Sequence, residues 1–277
     1  MSNPFVERPG GTAVRMMIAI LITVLFLFPV YWLFIMAVKT PEEVFARPPI
    51  FFPTTWSLEN FAVLFRDGDV RAIGNSAIAA GVSTVLAMVF GTIAAYSLAR
   101  FRTGGDHLAI WIISHRMIPP IAIVFPLFLA FATIGLNDTY VGLIGLYTAF
   151  NLPYVIWMMR GYIEDVPVEL EESALVDGLN RWQVLFRVVF PMLRSGLFAT
   201  AVFTFIFAWN EFIFALILSR TEVITFPVQV SHYFGPQQIF WAKIGAMSVL
   251  GTLPVFIVVA MAQKFLVRGM SMGAVKG

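Results

Sequence analysis

Residues 172 to 191, Glu172-Ser173-Ala174-Leu175-Val176-Asp177-Gly178-Leu179-Asn180-Arg181-Trp182-Gln183-Val184-Leu185-Phe186-Arg187-Val188-Val189-Phe190-Pro191, form the one long polar segment between apolar runs. Two short helices explain it. Pro167 suits a first helical position, and Glu169, Glu171 and Glu172 fall in the opening turns, where the helix dipole favours acids. Gly178 supplies a left-handed stop. Asn180 is placed to cap a second helix, in which Trp182, Leu185, Phe186 and Val189 fall at i, i+3, i+4 and i+7 and make one apolar stripe. Pro191 is expected to end it.

Three settings suit such a hairpin: a connector between membrane spans, a helix lying in the lipid surface, or a docking loop. Charge disfavours the second. Glu164, Asp165, Glu169, Glu171, Glu172 and Asp177 would be repelled by an anionic leaflet, whereas a surface-lying helix carries Lys and Arg on its polar face. Connector and docking loop both remain. For docking, Ser173 and Ala174 are small enough to let another chain approach the backbone, and Gly178 makes the bend sharp.

Outward from the hairpin the chain is apolar. Of 277 residues, 59% are hydrophobic and 12% charged, and the mean hydropathy is +0.85. Soluble domains carry about a quarter charged residues, so this is an integral membrane protein. A net charge of +2 without a basic, aromatic-interleaved run gives no footing for nucleic acid. With no Cys there is no disulfide framework, thiolate metal site or thiol nucleophile.

Six spans follow, near residues 16–38, 75–99, 108–134, 140–159, 196–219 and 244–266, each about the 20 residues that cross a bilayer. The first is too long for a signal-peptide core and is expected to stay in the protein. The fold class is therefore all-α and polytopic. Its parts are an N-terminus over 1–15, a first span, an external loop over 39–74, a core over 75–266 with the hairpin at 164–194, and a tail over 267–277. Arg8, Arg15, Arg100, Arg102, Arg160, Arg181, Arg187, Arg194, Lys264, Arg268 and Lys276 fall on one side of these spans. Lys39, Arg47, Arg66, Arg71, Arg220 and Lys243 fall on the other. The positive-inside rule then puts both termini and the hairpin in the cytoplasm. The external segment from Thr40 to Arg71, rich in Pro and with Phe45, Phe51, Phe52 and Trp56, reads either as a cover over the outer mouth or as a plain connector.

Polar residues within the spans are the candidate pathway. Arg116 follows His115 and precedes Pro119, Pro120 and Pro126, which are expected to break the third span. Arg116 either faces a cavity or snorkels to the interface, while His115 reads as a packing residue. Asn210 and Glu211 lie roughly 20 Å into the fifth span, where a carboxylate is costly unless paired or wet. Asn151, beside Pro153, is a further lining candidate. No metal site is expected, because no second His or acid stands at ligand spacing. No phosphate-cradling Gly-rich loop, His-Glu-x-x-His or Gly-x-Ser-x-Gly is present. No catalytic residue is assigned, and energy must come from elsewhere. A gradient-driven secondary carrier using Arg116 and Glu211 as its coupling pair is the rival reading; it leaves the acidic hairpin without a role.

Glu172-Ser173-Ala174, Asp177-Gly178 and Phe190-Pro191 resemble the EAA loop of ABC importer permeases. Leu152-Pro153-Tyr154-Val155-Ile156-Trp157 with Arg160-Gly161, and Ala208-Trp209-Asn210-Glu211-Phe212, are similar to the carbohydrate-uptake branch, specifically its maltose-permease-like second subunit. Ser173 stands where the family has Ala and keeps the small size. The resemblance implies the type I importer permease fold in a bacterial inner membrane, with Glu172, Ser173, Ala174, Asp177, Gly178 and Pro191 docking on a cytoplasmic ATPase. The implied partners are a homologous permease, two ATPase subunits and an extracytoplasmic substrate-binding protein. ATP and Mg would be bound by the ATPase subunits and no cofactor by this chain. The implied cargo is a sugar, sugar derivative or polyol. Gly235-Pro236-Gln237-Gln238 resembles the loop that reaches into the binding protein, and Gly273-Ala274-Val275-Lys276-Gly277 the tail that inserts at the ATPase dimer.

Overall fold

The structure is a computed structural model that describes the backbone of residues 9–235 and 240–273 and the side chains of 14–235 and 240–263. Contacts divide it into two compact units. One comprises the described residues up to Asp69 with those of 232–250, and the other those of 70–231 and from 251 onward. The expected core over 75–266 is thus not one continuous piece, since residues 232–250 pack with the N-terminal unit.

The N-terminal unit begins with α1 (Pro9–Val38), which exposes Met17, Leu21, Leu25 and Phe26. That is the surface of a helix facing lipid. The segment expected as an external loop contains α2 (Pro41–Val44) and α3 (Glu59–Arg66). Phe45, Phe51, Phe52 and Trp56 stay exposed. What fixes the segment is polar. Asn60 Nδ2 donates to the carbonyls of Ala37 and Lys39 at 2.9 and 2.8 Å. The Lys39 ammonium donates to Ile50 O and lies 4.8 Å over the Trp32 ring. Burial holds it below the usual lysine range against the raising pull of Glu43. The Thr54 hydroxyl, with the Thr54 and Thr55 amides, donates to Glu43 and holds its carboxyl below the usual range.

The larger unit is built on α4 (Arg71–Phe101) and α7 (Tyr140–Glu164), which pack along most of their length. Ala79, Ala80, Ser83, Ala87, Gly91 and Ala95 give α4 a buried face of small residues, the pattern that lets membrane helices approach closely. At Gly91 the approach is too close for a side chain: a Cβ there would meet Val155 Cγ1 at 2.6 Å. Between them in sequence run α5 (Gly105–Ser114), one 3₁₀ turn (His115–Met117) and α6 (Pro120–Thr133). The two halves bend by 90°, as the Pro119-Pro120 pair requires. After α7 come α8 (Val168–Val176), α9 (Arg181–Val184), a widened π-helical turn (Leu185–Val189) and α10 (Phe190–Met192). Then follow α11 (Arg194–Trp209), α12 (Ile213–Leu218), α13 (Phe226–His232) and α14 (Trp241–Gly273).

Four helices are long and apolar enough to cross a membrane, and up to six spans result if each bent pair counts as one, among the described residues. The second bent pair joins residues 181–192 to 194–209 at 80°. The expected fifth span over 196–219 is therefore not one helix. It stops at Trp209, and Asn210-Glu211-Phe212 break it before α12.

A carboxylate fastens the start of α7. At its start Thr139 caps the helix by accepting from Gly142 N at 3.1 Å. Beside it Asp138 accepts from the amides of Arg220, Thr221, Glu222 and Val223 at 2.9 to 3.2 Å and from the Thr221 hydroxyl. Burial opposes the Asp138 charge, but the four amides outweigh it and hold the carboxyl down to about 2.

Candidate functional site

The hairpin after α7 is the candidate site. α8 ends in a Schellman turn: Gly178 N donates to Leu175 O at 3.0 Å and Leu179 N to Ala174 O at 3.1 Å. Gly178 has φ +89°, which a side chain would strain although the space around it is open. Asn180 then starts α9 with a reciprocal capping box: its Oδ1 accepts from Gln183 N at 2.9 Å and its N donates to Gln183 Oε1 at 2.8 Å. Pro191 does not stop the helix at once. It sits in the first turn of α10, which runs to Met192.

Of the proposed docking residues, Glu172, Ser173, Asp177, Gly178 and Pro191 are exposed. Ala174 is buried, packed with Val166, Val184, Leu185 and Val189. It sets the seat of the helix rather than its outer face.

The expected apolar stripe of the second helix is split. Leu185 and Val189 face inward, whereas Trp182 and Phe186 are 59% and 52% exposed. The widened turn at Leu185–Val189 shifts the register from 3.6 residues per turn, so the i+3 and i+7 positions, Leu185 and Val189, no longer share one face with Trp182. Trp182, Phe186 and Phe190 instead form an outer ladder of rings, with centroids 6.3 and 5.9 Å apart.

Beneath this surface lies a residue pair that sequence reasoning left out of the site. Glu171 is 2% exposed, and its Oε1 pairs with Arg100 Nε at 2.6 Å. Its Oε2 accepts from the Tyr96 hydroxyl at 2.7 Å. In the sequence Glu171 reads as one more acid of the opening turns. Arg100, its partner, stands at the end of α4 and gives no local signal of the pairing.

The pathway candidates fall into two groups. Arg116 Nη1 donates to Phe150 O at 2.9 Å and Asn151 Oδ1 at 3.0 Å, and the guanidinium lies 4.7 to 5.8 Å from the ring centroids of Phe207, Phe150 and Tyr154. Arg116 and Asn151 are thus brought together. Glu211 is elsewhere: its carboxylate accepts from Phe214 N and Ala215 N at 3.1 and 3.2 Å and caps α12. Asn210 is exposed and donates to Ile206 O at 2.8 Å. Arg116 and Glu211 each have these separate partners and do not pair with one another, as the rival carrier would need. His115 is exposed rather than packed in a core, its ring against Trp111.

Gly235 is described, whereas Pro236, Gln237 and Gln238 lie outside the described residues. Gly273 closes α14, and Ala274, Val275, Lys276 and Gly277 lie outside. Among the described residues no cluster of three His, Asp or Glu side chains is arranged for a metal.

Apolar helices, two bent pairs among them, with one capped polar hairpin held at the end of α7, define a polytopic membrane protein. Over residues 87–272 the chain matches the family described as the binding-protein-dependent transport system inner membrane component. A probable ABC transporter permease protein of Sinorhizobium fredii is 37% identical over 254 residues, covering 91% of each chain. The trehalose transport system permease protein of Mycobacterium tuberculosis is 35% identical over 257 residues, 91% of this chain and 93% of that one. In fold, the chain is similar to one from a bacterial ABC transporter involved in the import of the acidic polysaccharide alginate. The TM-score is 0.80 at 24% identity, over 95% of this chain and 100% of that one. The chain belongs to the binding-protein-dependent inner membrane component family. It is an ABC importer permease subunit and not an enzyme.

Proposed function

We propose that this chain is one of two homologous permeases in an ATP-driven, binding-protein-dependent importer of a sugar, sugar derivative or polyol. In this scheme the hairpin over 164–194 is the joint on which an ATPase subunit acts. The observation that carries it is the hairpin's outer surface: Glu172, Ser173 and Asp177 exposed around a left-handed Gly178, beside the ring ladder of Trp182, Phe186 and Phe190. Such a surface is costly against anionic lipid and is suited to a protein cleft.

ATP and Mg are held by the two ATPase subunits. Their closure displaces the hairpin, the helices rock as rigid bodies, and a cavity opens outward to receive cargo from the external binding protein. Gly235, Pro236, Gln237 and Gln238 meet that protein, and the tail Gly273, Ala274, Val275, Lys276 and Gly277 reaches the ATPase dimer. Arg116, Asn151, Asn210 and Glu211 are assigned to the pathway; Arg116 with its rings offers donors and apolar faces suited to a sugar. The sugar class is supported by relatives named for trehalose, trehalose/maltose and diacetylchitobiose. Both termini and the hairpin face the cytoplasm.

The test is uptake and ATP hydrolysis by the complete transporter. Glu172→Lys reverses the charge of the surface, and Gly178→Val strains its turn. Each is expected to abolish uptake while the chain still inserts. Normal uptake by both sinks the docking assignment. Because the chain has no Cys, Ser173→Cys also reports sidedness: reaction with an impermeant thiol reagent in intact cells would reverse the orientation.

A further inference from the structure

The docking surface uses neither Arg100 nor Glu171, yet these two form the most enclosed ion pair among the described residues, with side chains 8% and 2% exposed. Arg100, in the last turn of α4, joins three elements through one guanidinium. Its Nε meets Glu171 of α8 at 2.6 Å, and its Nη2 donates to Ile163 O of α7 at 2.8 Å and to Val166 O, just beyond α7, at 2.7 Å. Tyr96, one turn earlier on α4, donates to the other oxygen of Glu171. The next residue, Phe101, lies edge-on to Tyr96 at 5.9 Å, and the Arg181 guanidinium of α9 sits 5.5 Å from its ring. The end of α4 therefore grips both arms of the hairpin and the end of α7.

Packing alone does not call for this. A buried ion pair is no more stabilising than well-packed apolar residues of the same volume, because desolvation offsets the attraction. What it adds is direction. A planar fork with three fixed partners permits one angle between the elements it joins, whereas an apolar contact permits sliding.

We propose that Arg100, Glu171 and Tyr96 are positioning residues that make the hairpin, the end of α4 and the end of α7 one rigid body. A displacement of the hairpin then reaches the two central spans undiminished. This rests on the hairpin being the ATPase joint. It assigns the transmission to residues that touch neither the ATPase nor the cargo.

The test uses the complete reconstituted transporter carrying Glu171→Gln, Tyr96→Phe or Arg100→Lys. Each keeps size and apolar packing while removing a charge, a hydrogen bond or the planar fork. The expected result is slippage: the ATP hydrolysed per cargo molecule rises about fivefold or more, the scale of a coupling energy of 1 kcal/mol or above, with subunits still co-purifying in the native ratio. A merely structural pair gives hydrolysis and uptake that fall together at an unchanged ratio, and that result overturns the proposal, as does wild-type behaviour in all three. If Glu171→Gln prevents assembly, spin labels at 169 and 103 in the otherwise unaltered chain decide. Their separation must stay constant between nucleotide-free and ATP-bound states, and a shift overturns the rigid body. Uncoupling by Glu172→Lys with an unchanged ratio in these variants sinks the strut alone. Normal uptake with both Glu172→Lys and Gly178→Val sinks the joint itself.

Discussion

The two ends of α7 are fastened by different chemistry. At its start the Asp138 carboxylate takes its hydrogen bonds from backbone amides of residues 220–223 and from one hydroxyl. At its end, about 37 Å away for 25 residues at 1.5 Å each, Glu171 takes its bonds from the charged Arg100 and from Tyr96, both side chains. An amide cage holds whatever residues supply the amides, and it fixes a loop. A side-chain ion pair is specific to two residues and, when buried, leaves an uncompensated charge if either is lost. The first arrangement tolerates change in residues 220–223. The second concentrates the geometry of a three-way junction in one pair.

Breaking the junction is expected to have the larger effect. Glu171→Ala leaves the Arg100 guanidinium buried with backbone carbonyls as its remaining acceptors, and such losses cost about 3 to 5 kcal/mol. Thermal unfolding of the detergent-purified transporter should show a clear fall in midpoint. A midpoint within error of the wild type would mean that water or another subunit replaces the carboxylate.

The start of α7 is expected to matter less and to depend on pH. Asp138→Asn keeps the shape and removes the charge that the amides favour, at a cost of about 2 kcal/mol near neutrality. The carboxyl stands at about 2 in the folded chain against about 3.9 when unfolded. Its contribution is therefore full above about pH 4 and lost as pH falls through 2. Wild type and variant should converge in unfolding midpoint over that window. A gap that persists at pH 2 would assign the effect to shape.

This contrast also marks what the sequence made legible. The turn at Gly178, the cap at Asn180 and the break at Pro119-Pro120 are local chemistry, and each stands where the residues place it. Which acid of the cluster points inward is not local: Glu171 and Glu172 are neighbours of one kind, and Arg100, 71 positions earlier, makes the difference. The widened turn at Leu185–Val189 is likewise invisible to a rule with a fixed period, so the single stripe expected of Trp182, Leu185, Phe186 and Val189 divides, with Trp182 and Phe186 facing out. The break at Asn210-Glu211-Phe212 lay inside an apolar run, but it had a signal. An acid two residues before Ile213-Phe214-Ala215 can reach the free amides of a helix start, and the Glu211 carboxylate accepts from Phe214 and Ala215 there.

The smallest expected effect separates the two arms of the hairpin. Asn180→Ala removes one side of the capping box and frees one amide of α9, at a cost near 1 kcal/mol. If the hairpin is held mainly from beneath, by Arg100 and Glu171 on one arm and by Val184, Leu185 and Val189 on the other, the loss stays local. Amide exchange should then quicken at Arg181 to Gln183 while α8 stays protected. Should exchange quicken equally along Val168–Val176, the cap would be holding both arms, and the junction at Arg100 would be secondary to the turn.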